Sequence, residues 1–275
     1  MFRNFPNAFI VAALMVAGPS ITAAEPLPLT RFFVPFYMQP IDGANGSRWA
    51  VETWLYSRAE EFVVVAPTPG DCGPVMCMSS RAVYAGEQPS FFIPYQNVPT
   101  GLLVHVRGTH ANEVVIESKI RDISRNQASA GVEVPVVRED RFSAGALTLL
   151  NVPLDPRFRA LLRVYALPEA PSREVEIRYL RMPPLQNDSE HHDVVVLRAE
   201  RRSLQAPPAP AYPYGAEYLT PYLEIPSLAS VPGVAGESSI WIEIRPVSPG
   251  LRIWAFVSIT NNETQEVTLV TPPVP

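Results

Sequence analysis

Residues 43–65 read GANGSRWAVETWLYSRAEEFVVV, and the order of parts in this stretch decides the fold class. A Gly/Asn/Ser turn comes first, then a run of alternating character, a polar break and a short aliphatic run. Along an extended chain Trp49, Val51, Thr53 and Leu55 fall on one face, with Ala50, Glu52, Trp54 and Tyr56 on the other, because successive side chains of a strand point to opposite sides. Neither face is purely polar. The strand is therefore expected to be central, its second face covered by a loop or a neighbouring lobe. The same plan returns at residues 155–177, DPRFRALLRVYALPEAPSREVEI, where a turn, an Arg and an aromatic precede an aliphatic strand ending in Tyr, then a break and another strand. Two copies of one plan predict two related β-lobes.

Working outward, the chain offers many short strands. In the first lobe they are expected at residues 31–39, 48–57, 62–66, 81–84, 90–94, 102–107 and 113–122, a spacing that suits a sandwich. Pro35 inside RFFVPFYMQ demotes that strand to an edge or a kinked position. Val104, Val106, Val114 and Ile116 are the expected inward residues. The polar SRNQASA segment marks the lobe boundary, near Ser129. Second-lobe strands follow at 131–138, 146–150, 159–167, 175–181, 194–200, 222–225, 239–245, 252–260 and 267–271, the last two forming a hairpin across Asn261–Thr264 that Trp254 and Phe256 dock. The expected architecture is all-β: two antiparallel β-sandwich lobes of Ig-like or jelly-roll-like kind, residues 25–128 and 129–275, with almost no helix after residue 24.

Composition agrees with this reading. The 275 residues are 47% hydrophobic and 18% charged, so a core is available, and 31 prolines spread along the chain exclude long helices. A formal net charge of -5 argues against nucleic acid as a partner, since that needs a basic face. At the N-terminus Arg3, the apolar run FIVAALMVA and the small residues Thr22-Ala23-Ala24 have the form of a secretory signal peptide, residues 1–24, cleaved near Ala24. The run is too short to span a bilayer as a mature helix, and no later segment resembles a span. The mature chain is expected in the periplasm or outside the cell.

The only cysteines, Cys72 and Cys77, sit in DCGPVMC with a Gly-Pro turn between them. After export this spacing favours a local disulfide, which the chain-entropy model values at about 2 kcal/mol for so small a loop. A zinc site would need four ligands, and no His has a finger-like spacing. Glu190-His191-His192-Asp193 is the densest cluster of potential ligands, but adjacent strand residues face opposite ways, so His191 and His192 read as part of a solvated loop. Asp42 and Asn45 have the alternate oxygens of a calcium loop without its terminal Glu, and an ordinary turn is the default. No metal and no cofactor is expected.

No Gly-x-Ser-x-Gly elbow, Cys/His pair or phosphate-cradling glycine loop occurs. A glycosidase could still bring two distant carboxylates together. For binding, Tyr212, Tyr214, Tyr218 and Tyr222 stand out, because rings on a Pro-stiffened segment can stack on a sugar or anchor a protein. Alternatively those rings cap the sandwich ends.

GANGSRWAVETWLYS, the strand at 158–165 and RIWAFVSITNNETQEVTLVTP together resemble a group of uncharacterised bacterial secreted β-rich proteins. Their opening strand follows Gly-x-x-Gly-Ser-x-Trp, and their closing hairpin carries Trp-Ala-aromatic-x-Ser. The resemblance implies a two-lobed sandwich over nearly all of the mature chain and implies no activity. The function expected from all this is a non-catalytic secreted β-sandwich that binds a glycan or a protein, or serves structurally, at the bacterial surface or outside it. The alternative is a secreted polysaccharide hydrolase whose carboxylates meet only in the fold.

Overall fold

The computed structural model describes residues 28–35, 40–43, 46–72, 75–87, 101–124, 131–181, 194–207 and 218–273, with backbone alone at 41 and 67–79. The first half contributes β1 (Leu29–Val34), β2 (Ile41–Asp42), β3 (Arg48–Ser57), β4 (Val63–Cys72), β5 (Val75–Val83), β6 (Leu102–Arg107), β7 (Val114–Asp122), β8 (Val132–Val134) and β9 (Val137–Arg138). The second contributes β10 (Leu147–Pro153), β11 (Phe158–Ala166), β12 (Glu174–Arg181), β13 (Val195–Ser203), β14 (Tyr222–Ile225), β15 (Ser239–Pro246), β16 (Ile253–Asn261) and β17 (Val267–Val270). Every ladder among the described residues is antiparallel. The chain is all-β, as its alternation predicts. Among the described residues no helix is long and apolar enough to cross a membrane.

Four sheets result, in the orders β5-β4-β6-β1-β9, β2-β3-β7-β8, β10-β15-β12-β13 and β14-β11-β16-β17. The expected boundary residue, Ser129, lies outside the described residues. Beyond it β8 pairs with β7 and β9 with β1, so sheet membership changes over at residues 139–146.

Each half encloses its own core. In the first, Phe32, Val34, Leu102, Val104 and Val106 of one sheet meet Leu55, Val114 and Ile116 of the other. In the second, Val175, Ile177, Tyr179, Ile240, Ile242 and Ile244 meet Leu162, Val164, Ala166, Ile253, Ala255 and Val257. The inward positions read from alternation, among them Val104, Val106, Val114 and Ile116, are all buried.

A third core joins the halves. It takes the residues between those just named: Phe33 of β1, Leu103 of β6, Tyr165 of β11, and Trp254 and Phe256 of β16, with Phe142, Ile120, Val134, Val137 and Leu167. Parts of four strands are thus buried on both faces, which is why FFV, LLV, VYA and IWAFV run without a polar residue. The Phe33 ring sits 4.8 Å from Tyr165, 5.2 Å from Phe142 edge-on and 5.7 Å from Trp254, the offset geometries aromatic quadrupoles favour. Gly101 faces this ring so closely that a Cβ there would lie 2.1 Å from Phe33 Cε2.

Polar contacts reinforce the seam. The Tyr165 hydroxyl donates to the Pro35 carbonyl at 2.8 Å, and burial pushes the phenol up to about 12. Arg31 pairs with both Glu139 and Glu169; burial opposes its charge, yet these carboxylates raise its pKa. Arg252 donates to the carbonyls of Phe142 and Glu139. One expectation is corrected here: β1 is an interior strand, between β6 and β9, because Pro35 stands just past its end and no ladder bond is asked of the missing N–H.

Candidate functional site

Of the residues singled out from sequence, Tyr218, Tyr222 and Asp42 are described, and they fall in different parts of the fold. Tyr218 is half-buried against the first core, its ring 4.7 Å from that of His105. Tyr222 lies in β14, packs against the third core and pairs with Tyr165 and, at a bridge, Gln205. Both described tyrosines serve packing, while Tyr212 and Tyr214 lie outside the described residues, as do His191, His192 and Asn45.

Asp42 is exposed, its carboxylate 3.9 Å from Arg48, and its turn is closed by the Gly43 N–H donating to the Ser47 carbonyl at 2.7 Å. Among the described residues no three His, Cys, Asp or Glu side chains are grouped to hold a metal. Cys72 and Cys77 fall on the β4–β5 hairpin, where Cys72 faces Val75 and Cys77 faces Gly70, a diagonal register; their side chains lie outside the described set.

The structure draws attention instead to the outer face of the β3–β7 pair. Register sets Glu52 opposite Lys119, Trp54 opposite Glu117 and Tyr56 opposite Val115. Since the inner residues Thr53, Leu55, Ser57, Val114, Ile116 and Ser118 are buried, the intervening side chains must share the other side. There Trp54, Tyr56, Arg58, Val115, Glu117 and Lys119 line an open groove of about 400 Å³.

The rings of Trp54 and Tyr56 are half-buried, with Arg58 and Glu117 exposed. Lys119 Nζ lies 5.7 Å from the centroid of the Trp54 ring, within cation–π range. One step along, Arg121 pairs with Glu52 at 2.8 Å and closes that end with neutralised charge. At the other end the Arg58 N–H donates to the Glu113 carbonyl at 3.1 Å, and Ser57 Oγ accepts from the Ala59 N–H, fixing the turn that carries Arg58.

Arg58, Glu117 and Lys119 have no ion pair with any other described residue, although most arginines of the protein do. The groove therefore combines two aromatic rings with two cations and one carboxylate that have no ion-pair partner among the described residues. Such a site can offer a flat apolar platform together with charged hydrogen-bond partners at its margin.

Sequence reading identified this face as neither core nor purely polar but expected a cover over it. Among the described residues the face is an open groove. Its signal is the alternation of rings with charges: Glu52, Trp54, Tyr56 and Arg58 on one strand, matched by Glu117 and Lys119 on the next. The strands that are covered on both sides, β1, β6, β11 and β16, carry aliphatic and aromatic residues at consecutive positions instead. Compared with protein-family models, curated proteins and solved structures, the chain finds no match.

Proposed function

We propose that this chain is an exported, non-catalytic binding protein whose β3–β7 groove takes a saccharide. The observation that carries the reading is the pair of half-buried rings, Trp54 and Tyr56, in an open groove of about 400 Å³. That volume is at the lower end of the ~300–1,000 Å³ usual for small-ligand sites, enough for one or two sugar rings. A protein partner would instead call for ~800 Å² of complementary surface on each side. Export rests on the form of residues 1–24, and membership of the bacterial secreted group rests on the opening-strand and closing-hairpin motifs.

The lining holds one carboxylate, Glu117, whereas hydrolysis by paired carboxylates needs two, which favours binding over the hydrolase alternative. The test is calorimetric titration of the mature chain against a panel of oligosaccharides, beside Trp54→Ala. Trp54→Ala is expected to weaken binding at least tenfold, by removing a stacking face worth about 1.4 kcal/mol or more. Affinity untouched by that change, or cleavage of a saccharide that Glu117→Gln abolishes, would replace this reading.

A further inference from the structure

We infer that the saccharide is an acidic one, its rings on Trp54 and Tyr56 and its carboxylates directed to Lys119 at one end of the groove or to Arg58 at the other; this rests on the saccharide reading of the groove. The chain is acidic as a whole, with a formal net charge of -5, and Lys119 is its sole lysine. Even so, the groove lining carries two cations against one carboxylate. Many other described cations are ion-paired, among them Arg31 with Glu139 and Glu169, Arg163 with Glu224 and Arg121 with Glu52. What sets Arg58 and Lys119 apart is that both lack an ion-pair partner among the described residues and both line one groove with two aromatic rings, and an anion is their complement there.

Glu117 does not contradict an acidic ligand, because an ionised carboxylate is an acceptor only and suits the donating hydroxyls of a sugar ring. Register separates the roles along the groove. Glu117 stands opposite Trp54 at its centre, Lys119 is one position towards the Glu52 end, and Arg58 is at the far end beyond Tyr56. A sugar centred on the rings thus meets the acceptor at its middle and a cation at either end.

Lys119 has a further part in this arrangement. Its ammonium lies over the Trp54 ring, so a ring-stacking ligand must displace it. An acidic ligand gives the displaced ammonium a new partner; a neutral one does not. The anion is therefore preferred twice over, once by attraction and once because it replaces the cation–π contact that binding removes.

The experiment compares oligogalacturonate, oligomannuronate and sialyllactose, each with its carboxyl-reduced counterpart, on the full mature chain at low and at physiological salt. At least one acidic form is expected to bind about tenfold tighter than its neutral counterpart at low salt, with the advantage shrinking as salt rises. Lys119→Gln and Arg58→Gln are each expected to reduce the acidic affinity by roughly two- to fivefold; Arg58→Gln should spare neutral binding, and Lys119→Gln should leave it no weaker and modestly tighter, since no ammonium need then be displaced from Trp54. Trp54→Ala weakens both forms. Because Lys119 is the sole lysine, peptide mapping after amine acylation separates it from the α-amino group, and the acidic form should protect Lys119 more than the neutral form does at equal occupancy. Equal affinity for acidic and neutral forms, or indifference to both cation substitutions, overturns this inference and leaves the saccharide reading standing. Failure of every saccharide to bind in a Trp54-dependent way overturns both.

Discussion

Replacing Phe33 by alanine should do more than weaken the protein: it should separate the unfolding of its halves. The Phe33 side chain is fully buried and touches Phe142, Tyr165 and Trp254, all contributed by sequence beyond the first-half sheets. Truncating a buried Phe costs about 3–5 kcal/mol, and aromatic pairs of this geometry contribute ~0.5–1.5 kcal/mol beyond area burial, so a loss of about 4 kcal/mol is expected. Against a typical total of ~5–15 kcal/mol this is a large fraction, and it is concentrated where the halves meet.

The tryptophans report the outcome. Trp49 and Trp54 belong to β3, and Trp241 and Trp254 to β15 and β16, so urea unfolding of single-tryptophan variants follows each half separately. In the parent the two curves should coincide; in Phe33→Ala they should part, the first half melting at lower urea. A substitution confined to one core, Ile242→Ala, costs ~2–5 kcal/mol in the second half and serves as the comparison. Gly101→Ala adds a coupling test. Its new Cβ would collide with the Phe33 ring, so it should be destabilising in the parent and much less so beside Phe33→Ala. A loss under about 1 kcal/mol for Phe33→Ala, or parent curves that already differ, would refute the shared-core argument.

Three further outcomes are expected. Tyr165 has its pKa raised from 10.0 to about 12, so its contribution is fully present below pH 10 and is lost as pH rises towards 12; Tyr165→Phe should cost ~1–2 kcal/mol at neutral pH and reduce the alkaline decline to that of Tyr179, as read by thermal melts against pH. Burial opposes the charge of Glu200, but hydrogen bonds from Arg198, Arg202 and Tyr179 outweigh it and hold the carboxyl below its usual value; stability should therefore fall as pH drops through that lowered value, and Glu200→Gln should flatten the acid limb of the same curves. On the export reading, mass spectrometry of the chain after alkylation should find Cys72 and Cys77 unmodified until a reductant is added, and immediate modification of both would show free thiols.

How far the sequence was legible depends on what each face of a strand meets. Strands with one wet face, such as β7 and β15, announce themselves by period two, and Val114, Ile116, Ile240, Ile242 and Ile244 all point where alternation sends them. β1 was harder. Phe32 and Phe33 are both buried, one in each of two cores, so the period vanishes, and Pro35 suggested an edge that the chain avoids by ending the strand one residue sooner. The face of Trp54 and Tyr56 was legible as mixed. Its openness was not, because that depends on the short neighbours β2 and β8 and on where the second half docks, which local pattern does not encode. Tyr218 and Tyr222 show the converse: a conspicuous aromatic spacing that packing largely absorbs.

The third core also has a consequence for synthesis. A chain emerging from its N-terminus completes β1, β6 and the first sheets long before β16, and until Trp254 and Phe256 arrive the outward sides of Phe33 and Leu103 have no cover from that strand. The Tyr165–Pro35 hydrogen bond, between residues 130 apart, closes an equally long loop. Such distant pairings make folding slow and leave apolar sheet surface open to other nascent chains in the meantime. A polypeptide arrested before β16 would carry a complete first sandwich and a sticky exterior, so the closing hairpin protects the whole molecule from aggregation as its final act of assembly.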